Sequence, residues 1–268
     1  MKSTDVLIIG GSAAGMVAAV TGKAHWPNKS FTLVKKQKDV MVPCGIPYIF
    51  GTLESSEKNL MPVDAMMEKN GITSLVDEAI EINTNEKFVS FASGEKIQYQ
   101  KLLVATGSTP VKPKWLEGAD LENVFVIPKD RQYLDDMNSK LGNAKNIAVI
   151  GAGFIGVELS DELKKRGYNV TLIEKLPHIL NLAFDVELSE KIHEMLTTRG
   201  VNIITGVGIK KVLGNGKVEA IELENGKKIN MDAVILSMGY KPNSELAKNS
   251  GITIDEDGFV AVDEYMRT

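Results

Sequence analysis

One pattern that occurs twice constrains this chain most: an apolar strand, a glycine-rich turn, a helix and a second strand. The first copy occupies residues 6–34, with its glycine turn at 10–15, and the second occupies 147–174, with its turn at 151–156. This order of elements is the βαβ unit of a parallel sheet covered by helices. Because 268 residues suffice for about two domains, the repeat predicts an α/β protein with two Rossmann-like dinucleotide-binding domains.

Two more apolar strands and a proline-rich stretch suggest where the domains divide. Residues 101–104 and 232–236 read as buried strands that end in tight turns, and prolines at 110 and 113 favour a boundary. We therefore expect the second domain to be inserted into the first. The predicted ranges are 1–110 for the first domain, 111–246 for the inserted domain, and 247–268 for the return to the first.

Composition excludes several classes of function. The 31 basic residues are scattered among 35 acidic ones, for a net charge of −4, whereas a nucleic-acid groove needs clustered lysine and arginine. No apolar run approaches the roughly 20 residues of a membrane span, and no signal peptide is evident. Cys44 is the only cysteine, so we expect no internal disulfide, no multi-cysteine zinc site and a reducing, cytoplasmic location. The three histidines are far apart, and we expect no metal site.

The second glycine turn is typical of a dinucleotide site. Gly151, Gly153 and Gly156 match the GxGxxG pattern, which lets backbone N–H groups approach a pyrophosphate at a helix start. Glu174 follows by the roughly 20 residues expected of a carboxylate that accepts from a ribose 2′-hydroxyl. That carboxylate would repel a 2′-phosphate and so favours NADH, although Lys175 leaves NADPH open. The alternative is a glycine turn that serves only tight helix packing.

The first glycine turn is less regular. Ser12 replaces the second glycine, and Lys35 stands where an acid would hold the ribose. A purely structural turn is therefore an equal alternative for this copy.

Cys44 lies in a segment that should be rigid and irregular. Two prolines and a glycine surround it in residues 42–48, at what reads as a helix start. A helix N-terminus raises the thiolate fraction of a cysteine, and the thiolate is the form that attacks disulfides. A lone cysteine in an arbitrary protein is more often an inert buried residue.

Five motifs, taken together, resemble the FAD-dependent pyridine nucleotide–disulfide oxidoreductases, and more narrowly their single-cysteine branch. That branch comprises coenzyme A disulfide reductases, NAD(P)H persulfide or polysulfide reductases, and NADH oxidases and peroxidases. The resemblance covers the whole chain. In chain order, the motifs are the turn at 10–15, the segment at 43–48, the strand end at 105–110, the turn at 151–156 with Glu158, and Gly239 with Pro242-Asn243.

The resemblance implies that the first domain binds FAD and the inserted domain binds NADH, with NADPH possible. It implies that hydride passes to the flavin and then to Cys44, the catalytic residue, which reduces a small-molecule disulfide, persulfide or polysulfide. Full-length members of the family are homodimers. The residues implied to contact the cofactors are Gly10, Ser12, Ala13, Ala14, Gly15, Lys35, Pro43, Ala105, Thr106, Gly107, Gly151, Gly153, Phe154, Ile155, Gly156, Glu158, Glu174 and Gly239.

Two of these residues have specific implied roles. Phe154 matches an aromatic that shields the flavin until nicotinamide displaces it, and its alternative role is ordinary packing. Glu158 matches an acid near the nicotinamide, and its alternative is a solvated helix carboxylate.

Departures from the family pattern narrow the function. Oxidases and peroxidases of the branch carry a histidine where this chain has Ala13, which favours disulfide or persulfide reduction over an NADH oxidase. Coenzyme A disulfide reductases carry Ser-Phe and Asn where this chain has Val40, Met41 and Pro43, which weighs against coenzyme A.

The end of the chain suggests a second alternative. The sequence stops at Thr268, before a Gly-Asp pair and a dimerisation domain that the family carries. We therefore expect the FAD domain to lack a central strand and to hold FAD weakly, and a non-catalytic nucleotide-binding fragment is the alternative function.

Overall fold

The computed structural model describes residues 1–268, which form two compact units. The first unit comprises Met1–Pro43, Leu60–Thr109 and Lys241–Thr268, and the second comprises Cys44–Asn59 and Pro110–Tyr240. This division differs from the predicted ranges at three places, one of which is Pro110, which groups with the second unit. Residues 44–59 pack with the second unit, and residues 241–246 pack with the first.

The chain forms eighteen strands and six α-helices. The strands are β1 Lys2–Ile9, β2 Phe31–Lys35, β3 Val40–Met41, β4 Leu60–Met61, β5 Thr73–Val76, β6 Ala79–Asn83, β7 Phe88–Phe91, β8 Lys96–Val104, β9 Ser108–Pro110, β10 Val124–Val126, β11 Asn146–Ile150, β12 Asn169–Ile173, β13 Asn202–Ile204, β14 Ile209–Leu213, β15 Ala220–Leu223, β16 Lys228–Asn230, β17 Ala233–Leu236 and β18 Tyr240–Pro242. The helices are α1 Ala13–His25, α2 Val63–Lys69, α3 Arg131–Leu141, α4 Phe154–Lys165, α5 Val186–Thr198 and α6 Glu245–Asn249. No helix has the length and apolarity needed to cross a membrane.

The first unit is built on a six-stranded sheet in the order β5-β2-β1-β8-β7-β6. The strands β5, β2, β1 and β8 are parallel, and β7 and β6 continue the sheet antiparallel. One face buries Leu7, Val34 and Phe91, and the other buries Ile8 and Leu33 beneath helices α1 and α2. Residues successive along β1 thus point to opposite faces, and both faces are apolar, as expected of a parallel strand covered on both sides.

The expected gap in this sheet is not observed, because β1 and β8 pair directly from Lys2↔Ile97 to Ile9↔Val104. Strand β8 is longer than the predicted strand at 101–104, and its first half also pairs with β7. The second half, residues 101–104, has β1 on one side and no strand on the other. The sheet therefore has a free edge beside β8 rather than an interior gap.

The second unit contains a five-stranded parallel sheet in the order β10-β17-β11-β12-β13. Helix α4 packs on β11 and β12, and α5 packs on β13. A three-stranded antiparallel sheet, β14-β15-β16, covers the other side and shares a core with the parallel sheet through Ile150, Ile221 and Leu236. The predicted α/β class with two Rossmann-like units is confirmed.

We predict that Leu172→Ala destabilises the protein by about 2 to 5 kcal/mol, because truncating a fully buried leucine loses transfer free energy and leaves a cavity. Leu172 lies in the middle of β12 and is 0% exposed, whereas Leu188 on α5 is 41% exposed. Leu188→Ala is the matched control and should change stability by about 0.5 kcal/mol or less. Urea unfolding of both variants measures the difference. Equal losses would contradict the assigned core.

Candidate nucleotide and thiol sites

The glycine turn of the second unit brings backbone groups closer than any side chain permits. Gly151 has φ +99°, and a Cβ there would lie 2.4 Å from the Ser237 carbonyl oxygen. A Cβ on Gly156 would lie 1.9 Å from the Gly151 carbonyl oxygen. A Cβ on Gly153, by contrast, would meet nothing within 4 Å. The first and third glycines are thus fixed by the protein's own packing, and the second faces open space where a ligand can approach.

A cleft of about 590 Å³ opens in front of this turn. The predicted residues Gly151, Gly153, Phe154, Glu174 and Gly239 all line it. Helix α4 begins here with no acidic residue in its first turn and with no side-chain cap, so its free N–H groups and positive end suit an anion. The cleft thus has the geometry and the polarity of a dinucleotide site.

Glu174 follows directly after β12, at the edge of the cleft. One carboxylate oxygen accepts a hydrogen bond from the Ala152 N–H at 2.7 Å, and the other accepts from the Leu176 N–H at 2.9 Å. These bonds fix the carboxylate, and a carboxylate retains lone pairs beyond two such bonds. Glu174 can therefore also accept from a ribose hydroxyl.

Two aromatic side chains, Phe154 and Trp115, line the same cleft. Phe154 is 54% exposed and packs edge-to-face on Phe184, with ring centroids 5.6 Å apart. Trp115 also lines the cleft and is 62% exposed. Trp115 belongs to no recognisable motif, and only the folded chain brings it to the cleft.

Two predicted residues of α4 lie behind the cleft lining. Ile155 and Glu158 are half-buried and are not among the residues that line it. Glu158 is one helical turn beyond Phe154. Burial, followed by repulsion from the Glu162 carboxylate, raises the pKa of Glu158 above its ordinary value.

Cys44 is exposed, in a 3₁₀ turn at Pro43–Gly45 that is followed by a second at Pro47–Phe50. Backbone bonds close this segment, from the Ile49 N–H to the Ile46 carbonyl at 3.1 Å and from the Leu53 N–H to the Tyr48 carbonyl at 2.8 Å. The side chains of Ile46, Ile49 and Phe50 are buried. The thiol is therefore presented outward by a segment that is anchored by its apolar residues.

The thiol segment, residues 44–59, is held on α4 by a buried carboxylate. Glu162 is 2% exposed and accepts from the Thr52 N–H at 2.6 Å and from the Lys165 ammonium at 2.6 Å. A Cβ on Gly51 would lie 2.4 Å from the Glu162 carbonyl oxygen. Burial alone would raise the pKa of Glu162, but the bonds from Lys165 and Thr52 hold it below its ordinary value. The carboxylate therefore stays charged at neutral pH.

The glycine turn of the first unit repeats the geometry of the second. A Cβ on Gly10 would lie 2.1 Å from the Ala105 carbonyl oxygen, and one on Gly15 would lie 1.8 Å from the Gly10 carbonyl oxygen. Ser12 precedes α1, and its hydroxyl makes no capping bond. Ala13 and Ala14 are exposed at the start of the helix. This helix end also leaves its N–H groups free for an anion.

Lys35 lies where Glu174 lies in the other unit, since Gly10 bonds to Val34 just as Gly151 bonds to Ile173. Its side chain is 2% exposed. Its ammonium donates to the Lys38 carbonyl at 2.7 Å and to Asp64 at 3.1 Å. The first turn therefore fits a pyrophosphate, but this position offers no carboxylate to a ribose.

The strand end at 105–107 is fixed by Asn243, which was part of a motif but was not predicted as a site residue. Its amide donates to the Thr106 carbonyl at 3.0 Å, and the Thr106 hydroxyl donates to the Asn243 carbonyl at 2.7 Å. The Asn243 N–H donates to the Gly107 carbonyl. The Ala105 carbonyl packs against Gly10, so this loop and the first glycine turn form one surface.

His, Cys, Asp and Glu side chains nowhere form a group of three or more that could hold a metal ion.

Comparison with known proteins identifies the family. The pyridine nucleotide-disulphide oxidoreductase family matches residues 4–268. The chain belongs to this family. It is 34% identical over 269 residues to the NAD(P)H coenzyme A polysulfide/persulfide reductase of Pyrococcus horikoshii, and 32% identical over 275 residues to the NADH oxidase of Methanocaldococcus jannaschii. Each match covers 98% of this chain and 60% of the relative, so the chain spans about three fifths of their length.

Solved structures agree with this family assignment. The NAD-dependent persulfide reductase of A. fulgidus superposes with a TM-score of 0.87 at 32% identity, covering 98% of this chain and 51% of that one. The CoADR-RHD protein of Bacillus anthracis, in its reduced form, gives a TM-score of 0.88 at 26% identity, covering 100% of this chain and 49% of that one. The resemblance to the family and its single-cysteine branch, which the sequence motifs indicate, is confirmed.

We predict that Glu162→Gln lowers the free energy of unfolding at pH 7 by about 1 to 3 kcal/mol, because the buried charge-assisted bonds to Thr52 and Lys165 are weakened. The folded-state pKa of Glu162 is depressed, so its contribution is complete above the ordinary value of 4.5 and is lost as pH falls through the folded value. The difference between wild type and variant should therefore shrink in acid.

Urea unfolding at pH 7 and at pH 4 measures this effect. The control is Glu187→Gln, which removes an exposed ion pair to Lys191 and should cost about 0.5 kcal/mol or less. A difference that stays constant or grows toward acid would contradict the assigned charge state.

Proposed function

We propose that this chain carries the NADH-binding and thiol-bearing parts of an FAD-dependent enzyme that reduces a persulfide, polysulfide or disulfide through Cys44. One observation carries the proposal: a single helix serves both sites. Helix α4 begins at the nucleotide turn with Phe154 and, two turns later, holds the thiol segment through Glu162. Cleft and thiol thus lie in one compact unit.

The residues of the second unit suit NADH more fully than those of the first unit suit FAD. The second unit offers an open helix start, a cleft and a fixed carboxylate, which together suit NADH. The first unit offers an equivalent open turn beside the Ala105 loop, which suits the pyrophosphate of FAD, but Lys35 withholds the ribose contact. A flavin, when bound, supplies a two-electron carrier between a nicotinamide and a thiol.

The chain's own residues have distinct tasks in this proposal. Backbone N–H groups of the turn at 151–156 bind the diphosphate, Glu174 accepts from the adenosine ribose, and Phe154 covers the cleft until the nicotinamide enters. Glu158, with its raised pKa, stands one turn behind as an acid near the nicotinamide. The names of the persulfide and sulfur reductases among its relatives support this assignment.

Cys44 performs the sulfur chemistry. Its thiolate attacks one sulfur of the acceptor S–S bond, a mixed disulfide forms and one thiolate leaves. The two electrons of one hydride equivalent then cleave the mixed disulfide, which releases the second thiolate and restores Cys44. The exposure of the thiol supports access by a small acceptor. A cytoplasmic location and a homodimeric full-length protein remain predictions.

Coenzyme A and oxygen define the alternatives. The Pyrococcus relatives are named as dependent on coenzyme A, whereas Val40, Met41 and Pro43 depart from the pattern of coenzyme A disulfide reductases. The name NADH oxidase is borne by the relatives from Methanocaldococcus jannaschii and Enterococcus faecalis, whereas Ala13 replaces the histidine of oxidases. Rates with coenzyme A disulfide, a persulfide and oxygen, compared at equal NADH, decide among these acceptors.

We predict that Cys44→Ser abolishes disulfide and persulfide reduction but leaves reduction of bound flavin by NADH largely intact, since the thiol is needed only after hydride transfer. Thiol release tests the loss of disulfide and persulfide reduction, and anaerobic stopped-flow bleaching of the bound flavin tests whether NADH still reduces it. Loss of bleaching in the variant would mean that Cys44 has a further role. Failure of the wild-type chain to bind FAD at all, with NADH still bound, would support the nucleotide-binding fragment instead.

We predict a 10- to 100-fold preference for NADH over NADPH, because Glu174 repels a 2′-phosphate. Such a ratio corresponds to about 1.4 to 2.8 kcal/mol. Glu174→Gln should bring the two dissociation constants together, because NADH binding becomes weaker and NADPH binding becomes tighter. Calorimetric titration of both nucleotides checks this, and an unchanged ratio in the variant would remove Glu174 from the ribose site.

A further inference from the structure

An ion pair lies at the rim of the nucleotide cleft, beside Glu174. The Lys175 ammonium is 3.0 Å from one carboxylate oxygen of Glu224, and both residues line the cleft. The two side chains are 72% and 46% exposed. Lys175 follows the ribose carboxylate directly in sequence, so it is the base placed to meet a 2′-phosphate.

Glu224 is the fixed member of this pair. Its second carboxylate oxygen accepts from the Gly208 N–H at 3.2 Å, and its own N–H donates to the Gly208 carbonyl at 2.9 Å. A Cβ on Gly208 would lie 2.9 Å from the Glu224 carboxyl carbon. The bonds from Lys175 and Gly208 hold the pKa of Glu224 below its ordinary value. The carboxylate is therefore charged and anchored to the backbone of Gly208.

We propose that Glu224 is a specificity-determining residue that excludes NADPH by occupying Lys175. The inference rests on the proposed function, which assigns this cleft to a nicotinamide dinucleotide. The rim as built carries two carboxylates, Glu174 and Glu224, and one ammonium. A 2′-phosphate entering it meets a net negative charge, and the nearest base is already paired. NADH, which brings a neutral hydroxyl to the same place, is unaffected.

Removing the charge of Glu224 favours binding of a 2′-phosphate in two ways. The rim becomes neutral overall, and Lys175 becomes free to turn toward a phosphate. An exposed ion pair contributes little to stability, so this change should not unfold the protein. A phosphate oxygen is a strong partner for an ammonium, so Lys175 is the residue through which the gain must act.

The experiment is calorimetric titration of NADH and NADPH into the full chain and its variants. Glu224→Gln should lower the dissociation constant of NADPH roughly 3- to 10-fold and change that of NADH by less than about twofold. The double variant Lys175→Met with Glu224→Gln should lose the gain, because the freed ammonium is gone. Glu222→Gln is the matched control, since Glu222 pairs with Lys210 at 2.8 Å two residues earlier on β15 and does not line the cleft. It should leave both affinities unchanged.

Three results would overturn the proposal. If Glu224→Gln still binds NADH and its ratio of NADPH to NADH dissociation constants is unchanged, only the role of Glu224 is refuted. A gain that survives in the double variant refutes the route through Lys175. Absence of NADH binding to the wild-type chain refutes the assignment of the cleft, and with it the proposed function. The NADPH gain should also shrink in 0.5 M salt, because exposed charges are screened, and a salt-independent gain counts against it.

Discussion

Each unit contains one close contact between a turn glycine and a neighbouring backbone carbonyl. This contact determines where the glycine turn and the following helix lie. Gly10 rests against the Ala105 carbonyl, and Gly151 rests against the Ser237 carbonyl, at distances that no Cβ could occupy. The third glycine of each turn then rests on the carbonyl of the first. Because the helix must start immediately afterwards, its free N–H groups point to the same side as the end of the neighbouring strand. The glycines act by letting strand, turn and helix approach closely, not by flexibility.

This is why the turns could be predicted from the sequence. Glycines at fixed spacing can be recognised in the sequence, and in both copies an apolar strand lies a few residues away. Glu174 was placed correctly at the cleft for the same reason, since its position relative to Gly151 is set by one helix and one strand. The α/β class followed from the repetition of this local unit.

What the sequence did not reveal depends on contacts between distant residues. Nothing near residues 44–59 indicates that they pack on α4, because the deciding atom is a carboxylate of Glu162. The burial of Lys35 depends on Asp64, which belongs to another element. Trp115 reaches the cleft, and Phe184 reaches Phe154, only through the path of the folded chain. Strand β8 begins before its apolar residues, because its first half pairs with β7 as well as with β1.

The bond between Thr52 and Glu162 also sets an order of events during synthesis. Its partners are 110 positions apart, and a ribosome adding about 5 to 20 residues per second requires roughly 6 to 22 s to bridge that interval. Throughout that time the segment bearing Cys44 lacks the helix on which it packs. Its apolar side chains are then open to chaperones and its thiol to oxidants. The packing of the Cys44 segment therefore waits on translation of helix α4.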